Sequence, residues 1–236
     1  MEFDYTKRIT IDERYTKRKS DHQPGWSDDY ETKLDRIQEV LAEFLVPKGS
    51  KFLELGCGAG NIALSMAKLG FESYGIDLSP AAISWAEERK KEFGLSASFC
   101  LGNVVELNEY TNEFFEFVYD GDCLFMVIGT DRKACLSNIY RVLKPNGLFL
   151  AHAKLLNEQL QDKYYINPDN IFDPITQCLV QDGIPYYYLS REEEFSRELN
   201  LAGFKALSSK KFPPKHNEHP LIAGSLSVLA IKQLGR

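Results

Sequence analysis

Short apolar runs alternate with longer amphipathic segments through the middle of the chain, from residue 51 to about residue 152. The apolar runs predict buried strands, and apolar residues spaced three and four apart predict helices with one buried face. Strands that alternate with helices pair in parallel, so the pattern predicts a doubly wound α/β sheet. The predicted strands are 51–55, 72–76, 97–101, 114–119 and 148–151, and the predicted helices are 61–69, 80–93 and 131–143.

Capping and turn residues mark the ends of these elements. Ser79 followed by Pro80 is typical of a helix start, because serine caps the first turn and proline suits the first helical position. Gly70 and Gly94 follow predicted helices, where a left-handed residue is favoured. Residues 145–147 read Pro-Asn-Gly and predict a turn before the fifth strand.

Two regions lie outside the alternating pattern. Ser27 is expected to cap a helix from about 28 to 45, while residues 1–27 are interpreted as an N-terminal extension of a single domain that spans 28–236. Residues 154–189 are aromatic, contain prolines and exceed an ordinary connection, so they predict an inserted lid over a substrate. A helix at 191–202 and strands at 204–212 and 225–232 are expected to close the domain.

Composition narrows the classes of partner and location. The 236 residues carry a formal net charge of −6, which disfavours nucleic acid as a partner. No apolar run approaches the ~20 residues that a membrane span needs, and the N-terminus lacks the apolar core of a secretory signal. The five cysteines are odd in number and widely spaced, which favours a reducing cytoplasm.

A glycine turn follows the first predicted strand. Gly56, Gly58 and Gly60 form a GxGxG pattern, whereas the dinucleotide fingerprint needs a further glycine where this chain has Asn61. Such a turn alone is weak evidence for a ligand. Its position strengthens it, because ligands of parallel sheets bind at the carboxyl ends of the strands. Acidic and glycine-containing strand ends occur at that same edge: Glu54, Asp77 and 102–104.

The successive motifs resemble those of the class I S-adenosylmethionine-dependent methyltransferases. The matching stretches are "LELGCGAGN", "GIDLS", "GNVVEL", "FEFVYDGD" and "RVLKPNGLFLAH", and they cover roughly residues 28–152; "REEEFSRELNLAGF" is similar to the last helix of the family. The resemblance implies a Rossmann-like, three-layer α/β/α fold. Its seven-stranded sheet has the order 3-2-1-4-5-7-6 and is mostly parallel, with one antiparallel closing strand.

The resemblance also implies S-adenosyl-L-methionine as cofactor and assigns residues around it. The methionine part is expected near Glu54, Gly56, Cys57 and Gly58, the ribose hydroxyls at Asp77, and the methyl group near Asp120. Further contacts are expected from Leu78 beside the adenine, from Gly102 and Val104, and from Asn103, which stands where the family most often has Asp. Asparagine accepts the same hydrogen bond through its carbonyl oxygen.

Several of these residues have a second interpretation. Asp77 also suits a helix cap, and Cys57 suits a small residue that fills the loop rather than a nucleophile. Trp26 and Tyr30 either pack the N-terminal helix or cover the cofactor, where an aromatic face near a sulfonium gains ~0.5–2 kcal/mol.

Methyl transfer from a sulfonium is a direct displacement, so alignment of the acceptor is the main task and no metal is required. Asp122 and His152, which follow the fourth and fifth strands, are the candidate general bases if the acceptor must lose a proton. A structural role for His152 stays open. His216 and His219 are interpreted as parts of a surface turn, since a His-x-x-His pair in a loop is a weak metal signal.

The acceptor is predicted to be a small molecule. The position after the fourth strand lacks the Asn/Asp-Pro-Pro-Tyr motif of base and amide methylation, and it has a loose similarity to thiopurine and tellurite-resistance methyltransferases, with Phe125 where histidine is common there. Aromatic side chains of the insertion either roof an acceptor pocket or form a second small core. They are Tyr164, Tyr165, Phe172 and 186–188. A protein methyltransferase and a non-catalytic cofactor binder are the alternatives, and the oligomeric state is not predicted.

Overall fold

The structure, a computed structural model, describes residues 10–26, 30–160, 171–181 and 183–233. Its helices are α1 (Thr10–Ser20), α2 (Tyr30–Glu43), α3 (Asn61–Lys68), α4 (Pro80–Phe93), α5 (Thr130–Val142) and α6 (Glu192–Leu201). Its strands are β1 (Lys51–Leu55), β2 (Glu72–Asp77), β3 (Ala97–Leu101), β4 (Phe115–Asp120), β5 (Leu143–Leu156), β6 (Ile171–Asp173), β7 (Cys178–Gln181), β8 (Ile184–Ser190), β9 (Phe204–Phe212) and β10 (Ile222–Lys232).

The main sheet has the predicted order. Strands β3, β2, β1, β4 and β5 are parallel neighbours. Strand β10 pairs antiparallel with β5 and with β9, so it is the single antiparallel closing strand. The order 3-2-1-4-5-7-6 is therefore confirmed, with β10 and β9 in the places of the seventh and sixth strands. Leu55 is aligned with both Ile76 and Asp120, so β1, β2 and β4 end at one common edge.

The two faces of the sheet are covered by different helices. Phe52 and Phe117 pack with Ile37 of α2 on one face, whereas Leu53 and Val118 pack with α5 and α6 on the other. Successive residues of a strand point to opposite faces, so adjacent apolar residues in each strand fill two separate cores. This arrangement gives the three-layer α/β/α fold.

Most predicted boundaries match within a few residues. Ser79 Oγ caps α4 by accepting a hydrogen bond from the Ala82 N–H at 3.0 Å, and Gly94 ends that helix with φ of 61°. The predicted cap at Ser27 lies outside the described residues. The expectation that residues 145–147 separate a helix from the fifth strand is wrong, because β5 already begins at Leu143. The turn is accommodated within β5, where the pairing register shifts: Leu143 faces Phe115 and Leu148 faces Phe117.

Two parts of the fold, a small three-stranded sheet and a helix, differ from the sequence prediction. The region between β5 and α6 contains β6, β7 and β8, which form an antiparallel sheet. This sheet joins the main one where Lys154 and Leu155 pair in parallel with Leu189 and Ser190. The second element is α1, in the segment interpreted as an extension. In the described part of the chain, no helix is long and apolar enough to span a membrane.

The β6–β8 sheet has a small core of its own. Phe172 is buried there with Leu179 and Leu189, together with Leu156 of β5, with Leu221 just before β10 and with Ile222 at the start of β10. Phe172 is therefore part of a second small core, which is one of the two interpretations that the sequence leaves open. Tyr164 and Tyr165 lie outside the described residues, and the lid role of the insertion stays a prediction.

Candidate active site

A cavity of about 900 Å³ lies at the carboxyl ends of the central strands. Its volume is within the range of ~300–1,000 Å³ that is usual for small-molecule pockets. Most of the predicted site residues line it: Trp26, Tyr30, Glu54, Gly56, Cys57, Gly58, Asp77, Leu78, Asn103, Val104 and Asp122. Gly102, Asp120 and His152 are not among its lining residues.

The glycine turn after β1 has a backbone that only glycine tolerates in this packing. Gly56 has φ of 66° and Gly58 has φ of 51°, both in the left-handed region. A Cβ atom on Gly56 would lie 2.6 Å from Cys123 Cβ, and one on Gly58 would lie 2.5 Å from Tyr15 Oη. The turn therefore brings bare backbone to the cavity wall.

Asp77 holds the glycine turn and the start of α4 together. Its Oδ2 accepts a hydrogen bond from the Gly58 N–H at 2.9 Å, and its Oδ1 accepts one from the Ser79 N–H at 2.9 Å. Burial raises the pKa of Asp77, although these hydrogen bonds oppose the shift. The N-cap of α4 is Ser79, so Asp77 is not the cap itself but holds the backbone of the capping residue. Its carboxylate also lines the cavity.

Glu54 is a buried carboxyl group on the floor of the cavity. Its Oε2 accepts a hydrogen bond from the Ala63 N–H at 2.8 Å. Burial raises the pKa of Glu54 to about 8, although Ala63 and the charge of Lys33 lower it. The folded protein therefore favours the neutral form of Glu54. The free energy of unfolding falls as the pH rises from about 4.5 towards about 8, because the unfolded chain ionises this carboxyl group more readily than the folded one does.

Helix α1 covers the glycine turn from above. Asp12 Oδ1 accepts hydrogen bonds from Ser79 Oγ at 2.6 Å and from the Ala81 N–H at 2.9 Å, which attaches α1 to the start of α4. Tyr15 is buried, with 6% of its surface exposed. Its ring centroid lies 5.1 Å from that of Trp26. Burial and the charge of Asp77 raise the pKa of Tyr15, so its hydroxyl stays neutral.

The ends of β2 and β3 form the next wall. Leu78 is 47% exposed at the rim. Asn103 Oδ1 accepts a hydrogen bond from the Val105 N–H at 3.0 Å, which shapes the turn after β3. The Gly102 N–H donates to the Asp77 carbonyl oxygen at 3.0 Å. Gly102 therefore ties the two strand ends together behind the wall.

Asp120 and Asp122, after β4, have different surroundings. Asp120 is fully buried, and its carboxylate accepts hydrogen bonds from the N–H groups of Cys123, Leu124 and His152 at 2.9, 3.0 and 3.1 Å. Asp120 does not line the cavity, and the expectation that it lies near a transferred methyl group stays a prediction. Burial raises the pKa of Asp120, and His152 opposes that shift.

Asp122 lines the cavity with an ion pair. Its Oδ2 lies 2.7 Å from Lys33 Nζ, and its Oδ1 lies 3.7 Å from His152 Nδ1. Burial raises the pKa of Asp122, but Lys33, His152 and Lys154 lower it more, so the net pKa is below the ordinary value. His152 Nδ1 is 2.8 Å from the Asp120 carbonyl oxygen. A carbonyl oxygen only accepts, so Nδ1 carries the proton in this contact.

The far end of the cavity, beyond β4, is aromatic and basic. Phe125 and Tyr187 meet edge to face at 4.9 Å, and Tyr186 lies 4.8 Å from Tyr187. Lys154, which is 8% exposed, pairs with Glu218 of the β9–β10 loop. We call this region the aromatic-lysine end of the cavity, defined by Phe125, Lys154, Tyr186, Tyr187, Lys215, Glu218 and His219.

The two histidines of the β9–β10 loop have separate surroundings. His219 lines the cavity, and its Nδ1 accepts a hydrogen bond from the Leu221 N–H at 3.2 Å. Burial lowers the pKa of His219, so the ring is neutral. His216 is exposed beside Asn217. In the described ranges, no three His, Cys, Asp or Glu side chains are grouped so as to hold a metal ion.

A family model described as a methyltransferase domain matches residues 47–201 of the chain, which is more than half of its 236 residues. The matched region contains the glycine turn, Asp77, Asn103 and Asp122. This chain belongs to the class I S-adenosylmethionine-dependent methyltransferase family. S-adenosylmethionine is the cofactor of the family.

Individual relatives of this methyltransferase differ in their named activities. A carboxy-S-adenosyl-L-methionine synthase of Campylobacter jejuni is 28% identical over 195 residues, which cover 76% of this chain and 79% of that protein. An S-adenosyl-L-methionine-dependent Diels-Alderase of Neonectria sp. is 28% identical over 173 residues, covering 72% and 65%. Each is a similar protein with its own reaction.

A solved structure with the same fold covers nearly the whole methyltransferase chain. It is the 1,6-didemethyltoxoflavin-N1-methyltransferase of Burkholderia thailandensis, with bound 1,6-didemethyltoxoflavin and S-adenosylhomocysteine. The TM-score is 0.69 at 17% sequence identity, and the match covers 99% of this chain and 92% of that one. At this identity the likeness shows the fold.

The cavity of this methyltransferase fits its cofactor on three observations. A side chain on Gly58 would collide with the wall, so the turn presents bare backbone. The buried carboxyl group of Glu54, with its raised pKa, suits a nearby cation. Leu78 and Val104 add apolar side chains to the same cavity, next to Asp77 and Asn103 in the sequence.

Sequence reasoning missed several residues that line the cavity. Asp12 and Tyr15 lie in a segment whose pattern is too polar to indicate a buried helix. Lys33 lies on a helix that was predicted, but nothing in its spacing indicates the pair with Asp122. Lys154 and Glu218 are 64 positions apart and meet only because β5 and β10 pair.

Proposed function

We propose that this methyltransferase transfers a methyl group from S-adenosylmethionine to a small-molecule acceptor by direct displacement. The observation that carries the proposal is one continuous cavity that extends from Asp77 to Lys154. These residues lie at the ends of β2 and β5, which are three strand steps apart in the sheet. At about 4.8 Å per step the distance is about 14 Å, which leaves room for a donor and an acceptor side by side.

The proposed donor side uses the residues around the glycine turn. Glu54, Gly56, Cys57 and Gly58 border the methionine part, and Asp77 accepts hydrogen bonds from the ribose hydroxyls. The adenine ring fits between Leu78 and Val104, with Asn103 at its amine; Trp26 and Tyr30 contribute aromatic faces from α2 and the segment before it. Gly102 and Asp120 support this wall from behind through their backbone hydrogen bonds.

The chemistry requires alignment more than proton transfer. When bound, S-adenosylmethionine supplies a methyl group that is already activated on a sulfonium. A lone pair of the acceptor forms the new bond to the methyl carbon, the carbon–sulfur bond breaks with its electron pair on sulfur, and any acceptor proton leaves to a base or to water. The walls of the cavity hold the acceptor in line and exclude water, which is the main catalytic contribution.

A small-molecule acceptor is supported by the aromatic side chains that line the aromatic-lysine end, which are Phe125, Tyr186 and Tyr187. We propose that residues 154–189 act as its lid, since Tyr186 and Tyr187 of β8 line the cavity, and that residues 28–236 form one domain. The structural relative holds a small molecule, 1,6-didemethyltoxoflavin, together with S-adenosylhomocysteine. We also propose a cytoplasmic location, which the odd number of cysteines supports.

Titration calorimetry of the full chain with S-adenosylmethionine and S-adenosylhomocysteine tests the donor side. We expect both to bind, and we expect Asp77→Asn to weaken binding at least about tenfold, because a charged acceptor for two hydroxyls is lost.

A cationic cofactor favours the ionised form of Glu54, so its affinity should increase as the pH rises from about 6.5 to about 9. Near neutral pH, binding should release a proton from Glu54. Glu54→Gln should remove this dependence, whereas Glu43→Gln, on the exposed side of α2, should retain it.

The absence of binding for both compounds would refute the cofactor assignment. Methyl transfer is then tested by incubation with S-adenosylmethionine and panels of small thiols, amines, phenols and carboxylic acids, with detection of S-adenosylhomocysteine and of the methylated product. Cofactor consumption without a methylated product would show a different reaction of the same site.

A further inference from the structure

Residues 21–26 follow α1 and bring Trp26 to the donor side of the cavity; we call them the strap. The indole ring of Trp26 lies 5.1 Å from the ring of Tyr15, measured between centroids, and its centroid is 5.9 Å from the guanidinium carbon of Arg14. Trp26 is nevertheless 38% exposed, so its packing against α1 leaves much of the ring uncovered. The contacts of the backbone just before Trp26 therefore help to decide where the ring lies.

Asn61, the first residue of α3, binds the strap through its side-chain amide. Its Nδ2 donates a hydrogen bond to the Pro24 carbonyl oxygen at 2.9 Å. The next carbonyl oxygen, that of Gly25, accepts a hydrogen bond from Arg18 Nε of α1. The strap passes so close to α3 that a Cβ atom on Gly25 would lie 2.8 Å from Asn61 Oδ1. Asn61 stands where the dinucleotide fingerprint needs a glycine, which has no side chain to make such a contact.

Arg89 of α4 connects the strap to the glycine turn. Its Nη1 donates to the carbonyl oxygen of Ala59 in the turn at 3.0 Å and to that of Pro24 in the strap at 3.3 Å. The same nitrogen donates to Asn61 Oδ1, so the amide of Asn61 keeps its Nδ2 directed at Pro24. One guanidinium group therefore binds both the turn that borders the donor and the strap that carries Trp26.

We propose that Asn61 and Arg89 are positioning residues that hold the strap and keep Trp26 over bound S-adenosylmethionine. This inference rests on the proposed function and adds two residues to its donor side. An indole face beside a sulfonium attracts it, and the ring also shields the donor from water. The product S-adenosylhomocysteine leaves when the strap moves, so the contacts with Pro24 slow its dissociation.

A chase experiment tests this inference, with unlabelled S-adenosylhomocysteine displacing the radiolabelled compound from the full chain. Asn61→Ala should increase the dissociation rate about threefold to tenfold, because the hydrogen bond to Pro24 is lost. Asn61→Asp separates the strap from the turn, since a carboxylate still accepts from Arg89 but has no N–H for the Pro24 carbonyl oxygen. We expect the same acceleration in Asn61→Asp. This variant also serves if Asn61→Ala does not fold, because Asp is favoured in the first turn of a helix.

Arg89→Met should accelerate dissociation at least as much as Asn61→Ala, because it removes the contact with Ala59 as well. Asn200→Ala, at an exposed position on α6, is the matched control and should leave the rate unchanged.

A double-mutant cycle decides whether the contacts of Asn61 act through Trp26. Trp26→Ala should itself accelerate dissociation, because the aromatic cover is lost. Adding Asn61→Ala to Trp26→Ala should change the rate little further, since the ring that the strap positions is gone. Effects of the two substitutions that multiply, or an unchanged rate in Asn61→Asp, would overturn the inference. If radiolabelled S-adenosylhomocysteine does not bind to the unmodified chain, the proposed function fails instead, so the two failures are distinct.

Discussion

At the scale of the residue, the environment of Asp122 determines what chemistry it performs. The cations around it outweigh its burial and lower its pKa, so it is ionised at neutral pH and is a weak base. Its contact with Lys33 also fixes α2 against the end of β4. We infer that Asp122 is a positioning residue for Lys33 and for the cavity wall. The general-base role predicted for it, and for His152 behind it, remains open to a kinetic test.

Asp122→Asn is expected to lower turnover of the best acceptor by less than about tenfold, whereas the loss of a general base costs ~10²–10⁴-fold. The pH profile between about pH 6 and 9 should keep its shape, since the pKa of Asp122 lies below that window. A loss above a hundredfold that added formate restores would assign Asp122 as the base. In the same assay, His152→Ala with unchanged turnover at every pH would exclude His152 from proton transfer.

At the scale of the element, α1 is the largest difference between sequence and structure near the site. Its residues are mostly charged, and a helix that is polar all round does not show the periodicity by which helices are recognised. Its stability comes from contacts with distant residues: Asp12 accepts hydrogen bonds at the start of α4, and Tyr15 packs over Gly58. Helices α3 and α4 were predictable because their apolar faces and caps are local.

Asp12→Ala is expected to loosen α1 while leaving the core folded. The lost hydrogen bonds are each worth ~0.5–1.5 kcal/mol, so the affinity for S-adenosylhomocysteine should fall about threefold to tenfold. Hydrogen exchange should show faster exchange in α1 alone. Hydrogen bonds from Ser79 and Ala81 lower the pKa of Asp12, so its contribution is present above about pH 4 and is lost as the pH falls below it.

The control is Glu13→Ala, which removes an exposed carboxylate from the same helix. Its affinity for S-adenosylhomocysteine should equal that of the unmodified chain. If Asp12→Ala also retains full affinity and unchanged exchange, α1 does not help to close the donor side.

At the scale of the whole molecule, the parallel strands β1–β5 could be predicted from the sequence. The closing half, which consists of β6–β10 and α6, could be predicted only in part. Strands β1 and β4 are mostly apolar, and the position of β2 beside them follows from the strand–helix alternation and the resemblance. The short strands β6, β7 and β8 show no such pattern. What holds them is one junction with β5 and a core shared with Leu221 and Ile222, which are distant in sequence. For the same reason the sequence places Glu54, Asp77 and Asn103 at one edge of the sheet, where the structure has them lining one cavity, while the contact of Lys154 with Glu218 depends on the three-dimensional pairing.

Arg132 of α5 connects the closing half to the rest of the molecule. Its Nη1 donates to the Leu124 carbonyl oxygen at 2.6 Å, and its Nε lies 2.6 Å from Glu198 Oε1 on α6. Its guanidinium carbon is 4.6 Å from the centroid of the Tyr188 ring on β8. One buried side chain of α5 thus joins the turn after β4, the inserted sheet and α6.

Arg132→Met is expected to lower the free energy of unfolding by about 2–4 kcal/mol, near the lower end of the range for broken buried pairs, because Glu198 keeps some contact with water. For a chain of this length the melting temperature should fall by about 5–15 °C. Arg132→Met with Glu198→Leu should recover part of this loss, since no unpaired carboxylate remains. Arg197→Met, an exposed position on α6, is the matched control. Because β8 carries Tyr186 and Tyr187, which line the cavity, Arg132→Met should also weaken binding of an acceptor identified in the panel at temperatures where the chain stays folded, with S-adenosylhomocysteine affinity unchanged. Wild-type stability in Arg132→Met would show that the inserted sheet is held by its own core alone.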